Sequence, residues 1–284
     1  MNALDIKNLN KKFKNFSLKD IEIELPKGYI LGYVGQNGSG KTTTIKLIMN
    51  FLKMDSGIIK VFGKEYSENE SEYKNMIGYI ADECYFPENL TTKDILKINK
   101  GFYKEFDEKK YNSMLSKWKI PKDKKIKDFS KGMKVKLSFA SVFSRKTKLL
   151  ILDEATSGLD PVVRDEILKM IQDYIEDGEK SVIFSSHIES DIEKIADYIY
   201  FIDDGKIILN GVKDDILENH MIIKGGSSEM TSEIKEKVIG YEINDVCFRA
   251  LIKTDDKKYF SNNFLYEKPN VEDIVVLYIK GLNK

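Results

Sequence analysis

The spacing of apolar residues predicts a chain that alternates between strands and helices. Between residues 3 and 25 apolar and polar positions alternate, which favours antiparallel strands closed by a turn at residues 26–28. The short apolar run at residues 29–34 predicts a buried strand. Residues 41–52 then follow helical spacing, with apolar positions at Ile45, Ile48, Met49 and Leu52. The first 52 residues are therefore expected to form a small sheet, a central strand and a helix.

Further strands are predicted where short apolar runs recur. They lie at residues 57–62, 77–81, 148–152 and 181–184 and in a hairpin spanning 201–209. Between residues 91 and 118 the period becomes helical, and Pro121 ends this insertion. One helix opens near residue 130, and another follows Asp160 and Pro161, which suit its N-cap and first turn. This order of strands and helices is typical of an α/β fold with a mainly parallel sheet.

Residues 216–284 differ in pattern and predict a small α+β domain after a main body at residues 1–215. Strands are expected at 221–223, 239–243, 246–252 and 259–266, with a helix near 229–238. A last helix should begin at Asn270, after Pro269, and bury Ile274, Val275, Tyr278 and Ile279. Regulation or support of a dimer is one interpretation of this domain, and a stabilising extension is the other.

Composition narrows the classes of protein to which the chain can belong. The 46 basic and 46 acidic residues balance, so no net charge attracts nucleic acid or an anionic membrane. Cys84 and Cys247 are the only cysteines and lack metal-ligand spacing, which argues against a disulfide framework and suits a reducing cytoplasm. The N-terminus lacks signal-peptide features, and no apolar run approaches the roughly 20 residues that span a bilayer. Work at a membrane is therefore expected to need a partner.

A glycine-rich segment joins the predicted strand at 29–34 to the helix that follows. Its residues are Gly35, Gln36, Asn37, Gly38, Ser39, Gly40, Lys41, Thr42 and Thr43. The pattern alone occurs by chance in roughly one chain of this length in a hundred, but its place between a strand and a helix is the context that a phosphate-binding loop requires. Backbone N–H groups can surround phosphate oxygens there, Lys41 can reach the outer phosphates and Thr42 can ligate Mg²⁺. A glycine turn that binds nothing is the alternative.

Polar residues also follow two later strands. Asp153 and Glu154 end the strand at 148–152, where adjacent carboxylates are costly unless they meet a cation or a donor. If Mg²⁺ bridges bound phosphates, Asp153 is expected to ligate it and Glu154 to accept a proton from the attacking water. A structural pair that caps the next turn is the alternative. His187 leaves the strand at 181–184 and is expected to sense phosphate, although a lone histidine is more often structural.

In this order the motifs resemble those of the ATP-binding subunit of ABC transporters, over roughly residues 1–215. The resemblance implies a P-loop NTPase cassette with a mainly parallel core sheet, an antiparallel β subdomain and a helical subdomain at about 85–147. The glycine-rich loop is similar to Walker A, and residues 149–154 to Walker B with its catalytic Glu154. The resemblance also implies that Phe13 stacks on adenine. Ser130 and Gly132, in the signature segment Phe129–Met133, would meet γ-phosphate. Asp160 would belong to the D-loop, and His187 would be the switch histidine.

Two stretches depart from the family pattern. Within the signature segment Lys131 stands in place of a glycine and adds a positive charge, and Phe129 and Met133 also differ from the leucine and glutamine of the family. Asp82 stands where the family has the Q-loop glutamine. A carboxylate can bind Mg²⁺ or a water but cannot donate as an amide does. Asp82 is therefore expected as a further ligand of the metal.

The resemblance implies an ATPase that uses ATP and Mg²⁺ and powers a separate membrane permease. The chain would lie in the cytoplasm, on the inner face of the membrane, in a head-to-tail dimer with a second ATP-binding subunit and without nucleic acid. Residues 269–274 also resemble the tail of the drug- or antibiotic-export branch. A soluble regulatory or nucleic-acid ABC ATPase is one alternative, although the long coiled coil or paired cassettes of those members are missing. A non-hydrolysing ATP-binding module, which Asp82 and the altered signature keep open, is another.

Overall fold

The computed structural model describes residues 1–282, which form three β-sheets and the helices between them. The strands are β1 (Asn2–Lys12), β2 (Ser17–Pro26), β3 (Ile30–Val34), β4 (Ser56–Val61), β5 (Ile77–Ala81), β6 (Leu149–Asp153), β7 (Ser181–Ser185), β8 (Tyr198–Asp203), β9 (Lys206–Val212), β10 (His220–Gly226), β11 (Gly240–Ile243), β12 (Cys247–Lys253) and β13 (Leu265–Glu267). The helices are α1 (Lys41–Ile48), α2 (Glu70–Met76), α3 (Thr92–Phe102), α4 (Glu108–Lys117), α5 (Lys131–Phe143), α6 (Pro161–Ile175), α7 (Glu189–Ile195), α8 (Lys213–Glu218), α9 (Ser232–Lys237) and α10 (Val271–Leu282). Within the described residues, none of these helices is both long and apolar enough to cross a membrane.

The central layer is a six-stranded sheet in the order β5-β6-β7-β3-β8-β9. Its first five strands are parallel, and β9 returns antiparallel from β8. Alternate residues of β6 belong to two apolar clusters, Leu150 and Leu152 to one and Leu149 and Ile151 to the other. The sheet is therefore covered on both faces, which explains why its inner strands are short, mostly apolar runs. The carboxyl ends of these parallel strands meet at one edge.

A three-stranded antiparallel sheet in the order β2-β1-β4 lies on one face of the central sheet. Its predicted apolar positions Leu4, Ile6 and Leu9 are fully buried. They share a cluster with Ile45 of α1 and Ile151 of β6. The antiparallel subdomain thus packs against α1 and holds the start of that helix over the sheet.

The helical insertion predicted at residues 91–118 consists of two helices, α3 and α4, which pack with α5. Thr91 and Asp94 form a capping box at the start of α3, in which each side chain accepts from the backbone N–H of the other. Asp107 caps α4 by accepting from the N–H of Lys110 at 2.9 Å. These caps interrupt what reads in sequence as one helical stretch.

The C-terminal residues form a separate four-stranded antiparallel sheet in the order β11-β12-β10-β13. The strand expected at residues 259–266 is wrong, because Thr254–Tyr259 forms a 3-10 segment and only β13 joins the sheet. Ser261 is the physical reason. Its hydroxyl accepts from the N–H of Asn263 and its carbonyl from the N–H of Phe264, and this local turn breaks the extended chain.

The last helix, α10, joins this sheet to the main body. Ile274 and Val275 are buried as expected, but Leu277 is buried instead of Tyr278 and Ile279, which are half-buried. The helix packs against α7 and β11, and its buried side chains belong to the same apolar cluster as those of β8. The division between residues 1–215 and 216–284 stays a prediction, and the described packing crosses it.

Three helices, α2, α7 and α8, were not predicted. Each has only six or seven residues and few apolar positions, so no helical period is visible. Tertiary contacts and, for α2, a side-chain cap hold them instead. Asn69, for example, accepts from the N–H of Glu72 at the start of α2, and Ile192 of α7 is fully buried.

Candidate functional site

The glycine-rich segment leaves β3 at Val34 and enters α1 at Lys41. Gly38 and Gly40 have φ angles of 84° and 118°, which residues with a side chain rarely adopt. Gly35 is required for another reason, since a Cβ atom there would lie 2.3 Å from the carbonyl oxygen of Ile202. These glycines let the chain curl over the start of α1, where the first N–H groups of the helix have no partners within it.

Lys41 lies at the centre of this loop and is only 6 % exposed. Its Nζ donates to the carbonyl oxygen of Gly35 at 2.6 Å and to that of Gln36 at 3.2 Å. Glu154 Oε1 is 3.8 Å away. Burial lowers the pKa of Lys41, while the nearby carboxylates of Glu154 and Asp153 act in the opposite direction. The ammonium is thus held inside the loop by weak acceptors that a phosphate could replace.

Asp153 is the last residue of β6 and is buried. Burial raises its pKa, and a hydrogen bond with Thr42 opposes that shift. One of its carboxylate oxygens, Oδ1, is buried without a hydrogen-bond partner among the described residues. An orphaned carboxylate oxygen beside the hydroxyl of Thr42 is an arrangement that a hard cation such as Mg²⁺ fits.

Glu154 follows with a left-handed backbone, φ 56°, which turns its side chain back toward the loop. The register between β6 and β7 places Asp153 opposite Ser185, and Glu154 donates its N–H to the Ser185 carbonyl oxygen. His187 therefore lies beside Glu154. Glu154 Oε2 is 2.6 Å from His187 Nδ1 and accepts from the His187 backbone N–H at 3.1 Å. The three predicted catalytic residues, Lys41, Glu154 and His187, come together.

The pocket at this point has a volume of about 170 Å³. It is lined by Phe16, Gln36, Asn37, Gly38, Gly40, Lys41, Thr42, Thr43 and Glu154. Phe13, which is predicted to stack on adenine, lies with Phe16 in the turn between β1 and β2. Phe13 is 38 % exposed, and its ring centroid is 6.3 Å from that of Phe16. A larger cavity of about 440 Å³ beside Arg145 lacks both the loop and the paired carboxylates.

The signature segment forms the start of α5. Ser130 is the N-cap and accepts from the N–H of Met133 at 3.3 Å. A Cβ atom on Gly132 would meet nothing within 4 Å, so this face of the helix is open. The lining of the pocket around Lys41 includes neither Ser130 nor Gly132. These two residues are therefore available to meet a group outside their own pocket.

Asp82 follows β5, whose last residue Ala81 is paired with Asp153 of β6. Its carboxylate oxygen Oδ1 accepts from Lys131 Nζ at 2.5 Å. Asp160, the D-loop residue, is the N-cap of α6 and accepts from the N–H groups of Val162 and Val163.

Sequence reasoning missed a buried acid near His187. Asp191 of α7 accepts from the Thr156 hydroxyl at 3.2 Å, and the Arg164 Nε atom lies 3.5 Å from its other oxygen. Burial raises the pKa of Asp191, and Arg164 opposes the shift. The group ties the loop after Glu154 to α6 and α7. No local motif could have revealed it, because Thr156 and Asp191 are 35 residues apart in sequence.

A glycine-rich loop at the start of a helix, with acidic residues at the ends of neighbouring parallel strands, defines a P-loop nucleotide-binding fold. Residues 18–157 match the family model described as ABC transporter. The chain is 31 % identical to the ABC transporter ATP-binding protein YtrB of Bacillus subtilis (strain 168), over 94 % of this chain and 92 % of that protein. The chain belongs to the ABC transporter ATP-binding family, as its motifs predicted.

Other relatives have names that state a transported compound. The chain is 34 % identical to the bacitracin transport ATP-binding protein BcrA of Bacillus licheniformis, over 68 % of this chain and 63 % of that protein. It is 36 % identical to the lantibiotic transport ATP-binding protein SrtF of Streptococcus pyogenes, over 72 % and 89 % of the two chains.

A solved structure described as an ATP binding subunit of an ABC transporter matches with a TM-score of 0.69 and 26 % identity. The match covers 75 % of this chain and 91 % of that one. The predicted fold class, a P-loop ABC cassette with parallel and antiparallel sheets, is confirmed.

Proposed function

We propose that this chain hydrolyses ATP and thereby drives a separate membrane permease, in the direction of export. The position of Glu154 carries the hydrolytic part, because its carboxylate lies between the Lys41 ammonium and the His187 ring at the mouth of the loop pocket. A carboxylate there can accept a proton from a water that attacks a phosphate held by the loop.

The loop at residues 35–43 is proposed to hold the phosphates of ATP. Lys41 would exchange the carbonyl oxygens that it now contacts for phosphate oxygens, which carry full negative charge. The adenine would stack on the aromatic turn between β1 and β2, where Phe13 is exposed and Phe16 borders the pocket. His187 would orient Glu154 through the contact at Nδ1 and leave its Nε2 atom for the γ-phosphate.

Thr42 and Asp153 are the residues that would hold Mg²⁺, since the hydroxyl and the orphaned Oδ1 atom supply the oxygen ligands this ion prefers. When bound, Mg²⁺ would neutralise charge on the outer phosphates. Binding the ion would also offset the cost of burying the Asp153 carboxylate.

Two ATP-binding subunits are proposed to share each nucleotide, in a head-to-tail arrangement. Ser130 is exposed, Gly132 is half-buried with open space beside its Cα atom, and neither lines its own loop pocket, which supports contact with ATP held by a partner subunit. Asp160 fixes the start of α6 next to this surface. The partner is either a second copy of the chain or a related ATP-binding subunit, and no nucleic acid takes part.

The membrane permease is proposed to bind on the cytoplasmic side. Phe51, Tyr79 and Tyr85 form a row of aromatic rings, with centroids 6.3 and 6.5 Å apart, and Tyr85 follows Asp82 by three residues in the sequence. Phe51 is 60 % and Tyr85 is 73 % exposed, and aromatic residues are enriched in the centres of interfaces. The relatives BcrA and SrtF are named for bacitracin and lantibiotic transport, which supports export of an antibiotic-like compound.

The test is to replace Glu154 by glutamine, which keeps its size but removes its ability to accept a proton. Purified protein should release phosphate steadily, and Glu154→Gln should lower this rate by about 10²-fold or more. The variant should accumulate ATP-bound dimers in size-exclusion chromatography. Retained turnover without dimers would contradict the proposal.

Lys41→Ala supplies the second arm, since loss of the buried ammonium should abolish ATP binding measured by a fluorescent analogue. Lys46→Ala is its matched control, because Lys46 is exposed on the same helix and should leave ATP binding unchanged. Undiminished ATP binding by Lys41→Ala would refute the role of the loop.

A further inference from the structure

Two of the positions at which this chain departs from the family pattern contact each other. Asp82 stands in place of the Q-loop glutamine and Lys131 in place of a signature glycine. Lys131 Nζ donates to Asp82 Oδ1 at 2.5 Å, although the residues are 49 positions apart in sequence. Neither a glutamine nor a glycine at these positions could form this ion pair.

The pair joins the end of β5 to the start of α5, two elements that also pack against each other. Asp82 follows β5 at the edge of the central sheet, and β5 is paired with β6, which carries Asp153. Lys131 is the first residue of α5, directly after the N-cap Ser130, and α5 packs with α3 and α4. The ion pair therefore connects the sheet edge that carries the nucleotide site to the segment that carries Ser130.

A third segment also lies close to Lys131. A Cβ atom built on Gly158 would lie 3.2 Å from Lys131 Nζ and 3.7 Å from its Cδ. Gly158 has φ +66° and belongs to the loop between Glu154 and Asp160. Lys131 Nζ is thus close both to Asp82 and to the loop that follows Glu154.

The electrostatics explain why Lys131 needs an acidic partner. A cation in the first turn of a helix is unfavourable because the N-terminus carries a partial positive charge. The first turn of α5 contains no acidic residue, so Asp82 supplies the compensating charge from outside. Both side chains are 45 % exposed, and such a pair contributes little to the stability of the whole fold. The effect of the ion pair is instead local, because it sets the position of the first turn of α5.

We propose that Asp82 is a positioning residue, whose ion pair with Lys131 holds the signature segment Phe129–Met133 in the place from which it closes on the nucleotide of a partner subunit. This assignment rests on the proposed function in two-subunit hydrolysis. It replaces the role of metal ligand that the sequence predicted for Asp82. The two departures from the family pattern then compensate each other.

The first experiment needs no dimer. Amide hydrogen exchange of residues 129–133 is measured in the nucleotide-free chain, in the single variants Asp82→Asn and Lys131→Gln and in the exchanged pair Asp82→Lys with Lys131→Asp. Each single variant should speed exchange by about two- to five-fold, which is the range expected for an exposed ion pair. The exchanged pair should return to the wild-type rate, and high salt should reduce the difference between wild type and single variants.

The second experiment measures the ATP concentration at half-maximal dimer formation in the Glu154→Gln background. Each single variant should raise this concentration by about two- to five-fold, and the exchanged pair should restore it. Glu88→Gln is the matched control, because Glu88 also pairs with an α5 lysine, at 3.1 Å, but that lysine is Lys134, which follows the signature segment and is not part of it. It should leave the concentration unchanged.

Three results would overturn the assignment. If Asp82 ligates the metal, Asp82→Asn will raise the Mg²⁺ concentration needed for ATP binding and the exchanged pair will not recover. If the pair is only structural, exchange will change while dimer formation does not. If neither single variant alters exchange, the ion pair positions nothing. Failure of Glu154→Gln itself to form dimers would instead refute the two-subunit mechanism, and the exchange measurement would still decide whether Asp82 holds the segment.

Discussion

Three ionisable side chains share the cleft at the end of β6, and their burial sets how two of them titrate. Burial lowers the pKa of Lys41 and raises that of Asp153, as expected for a base and an acid taken out of water. Glu154 raises the pKa of Lys41, so the charges partly compensate one another. Asp153 Oδ1 still lacks a partner among the described residues. The cleft is therefore arranged to accept one more cation.

Magnesium should increase the stabilisation of the protein by ATP, and this increment should depend on pH. The pKa of Asp153 in the folded protein is raised above its ordinary value of 3.8. Ionising this group therefore lowers the stability of the folded protein as the pH rises from the ordinary pKa to the raised one. Metal binding needs the ionised form. The increment in Tm that Mg²⁺ adds to the ATP effect should be largest at pH values above the raised pKa of Asp153 and should shrink as the pH falls through it. Thermal melts with ATP, with and without Mg²⁺, measure it.

Asp153→Asn is the control for this prediction. Without nucleotide the variant should melt at the same temperature as the wild type or higher, by about 2–4 °C for each kcal/mol of desolvation relieved. With ATP, added Mg²⁺ should give it no further increment. ATP itself is also protonated as the pH falls. Subtracting the pH profile of Asp153→Asn from that of the wild type removes this contribution. An increment of unchanged size in Asp153→Asn would show that the ion is held by other residues.

The positions of the loop and of the two acids could be predicted because each follows a recognisable strand. The residues that these side chains contact could not be predicted. His187 meets Glu154 only because β6 and β7 pair with Asp153 opposite Ser185, and sequence does not give that register. Likewise, the geometry of the turn between β1 and β2 decides that Phe16 borders the pocket.

At the scale of elements, tertiary packing decides which patterns in the sequence are reliable. The buried parallel strands were predicted correctly because both of their faces are covered and the apolar run is continuous. The helices α2 and α7 were missed because they are short and are held by a few buried side chains and, in α2, by a side-chain cap. The strand predicted at 259–266 failed where Ser261 bonds to its own neighbours.

The contact of α10 with β11 depends on two glycines that let the backbones touch. A Cβ atom on Gly240 would lie 1.8 Å from the Leu277 carbonyl oxygen, and one on Gly281 would lie 2.0 Å from that of Ile239. Backbone atoms cannot rotate aside as a flexible side chain can. Gly240→Ala should therefore lower the free energy of unfolding by about 1–3 kcal/mol or more, measured by urea denaturation.

Gly101→Ala is the matched control. Gly101 lies in α3, where an added Cβ atom meets nothing within 4 Å. Alanine there should raise the free energy of unfolding by about 0.5–1 kcal/mol, because it restricts the unfolded chain and favours the helix. Equal effects of the two substitutions would mean that the α10–β11 contact is loose in solution.

At the scale of the whole molecule, the C-terminal region shares a core with the nucleotide-binding body. Ile216, Leu251 and Ile274 belong to the same apolar cluster as Ile199 and Phe201 of β8. The C-terminal sheet also has a small cluster of its own, which includes Phe248 and Phe264. The sequence shows the change in pattern after residue 215 but not this packing, because the contacts join distant parts of the chain. The match with YtrB covers 94 % of the chain and therefore extends into this region.

Removing residues 216–284 should therefore damage the nucleotide-binding body. The deletion would expose apolar side chains of β8 and β9 that now pack against Ile216 and Ile274. Each large apolar side chain left in water costs about 1.5–3 kcal/mol, and a domain is stable by only about 5–15 kcal/mol. The truncated chain should be poorly soluble, bind a hydrophobic dye and melt well below the full chain.

A point substitution separates loss of packing from loss of the whole region. Leu277 is 0 % exposed within the shared cluster, and Leu277→Ala should lower the free energy of unfolding by about 2–5 kcal/mol. Leu265, in the same region, is 59 % exposed, so Leu265→Ala should change the free energy of unfolding by no more than about 0.5 kcal/mol. Both full-length variants should still bind ATP at low temperature, because neither residue lines the pocket around Lys41. A truncated chain that is soluble and melts like the full chain would instead mean that residues 1–215 form an independent domain, and that the C-terminal region is only attached to its surface.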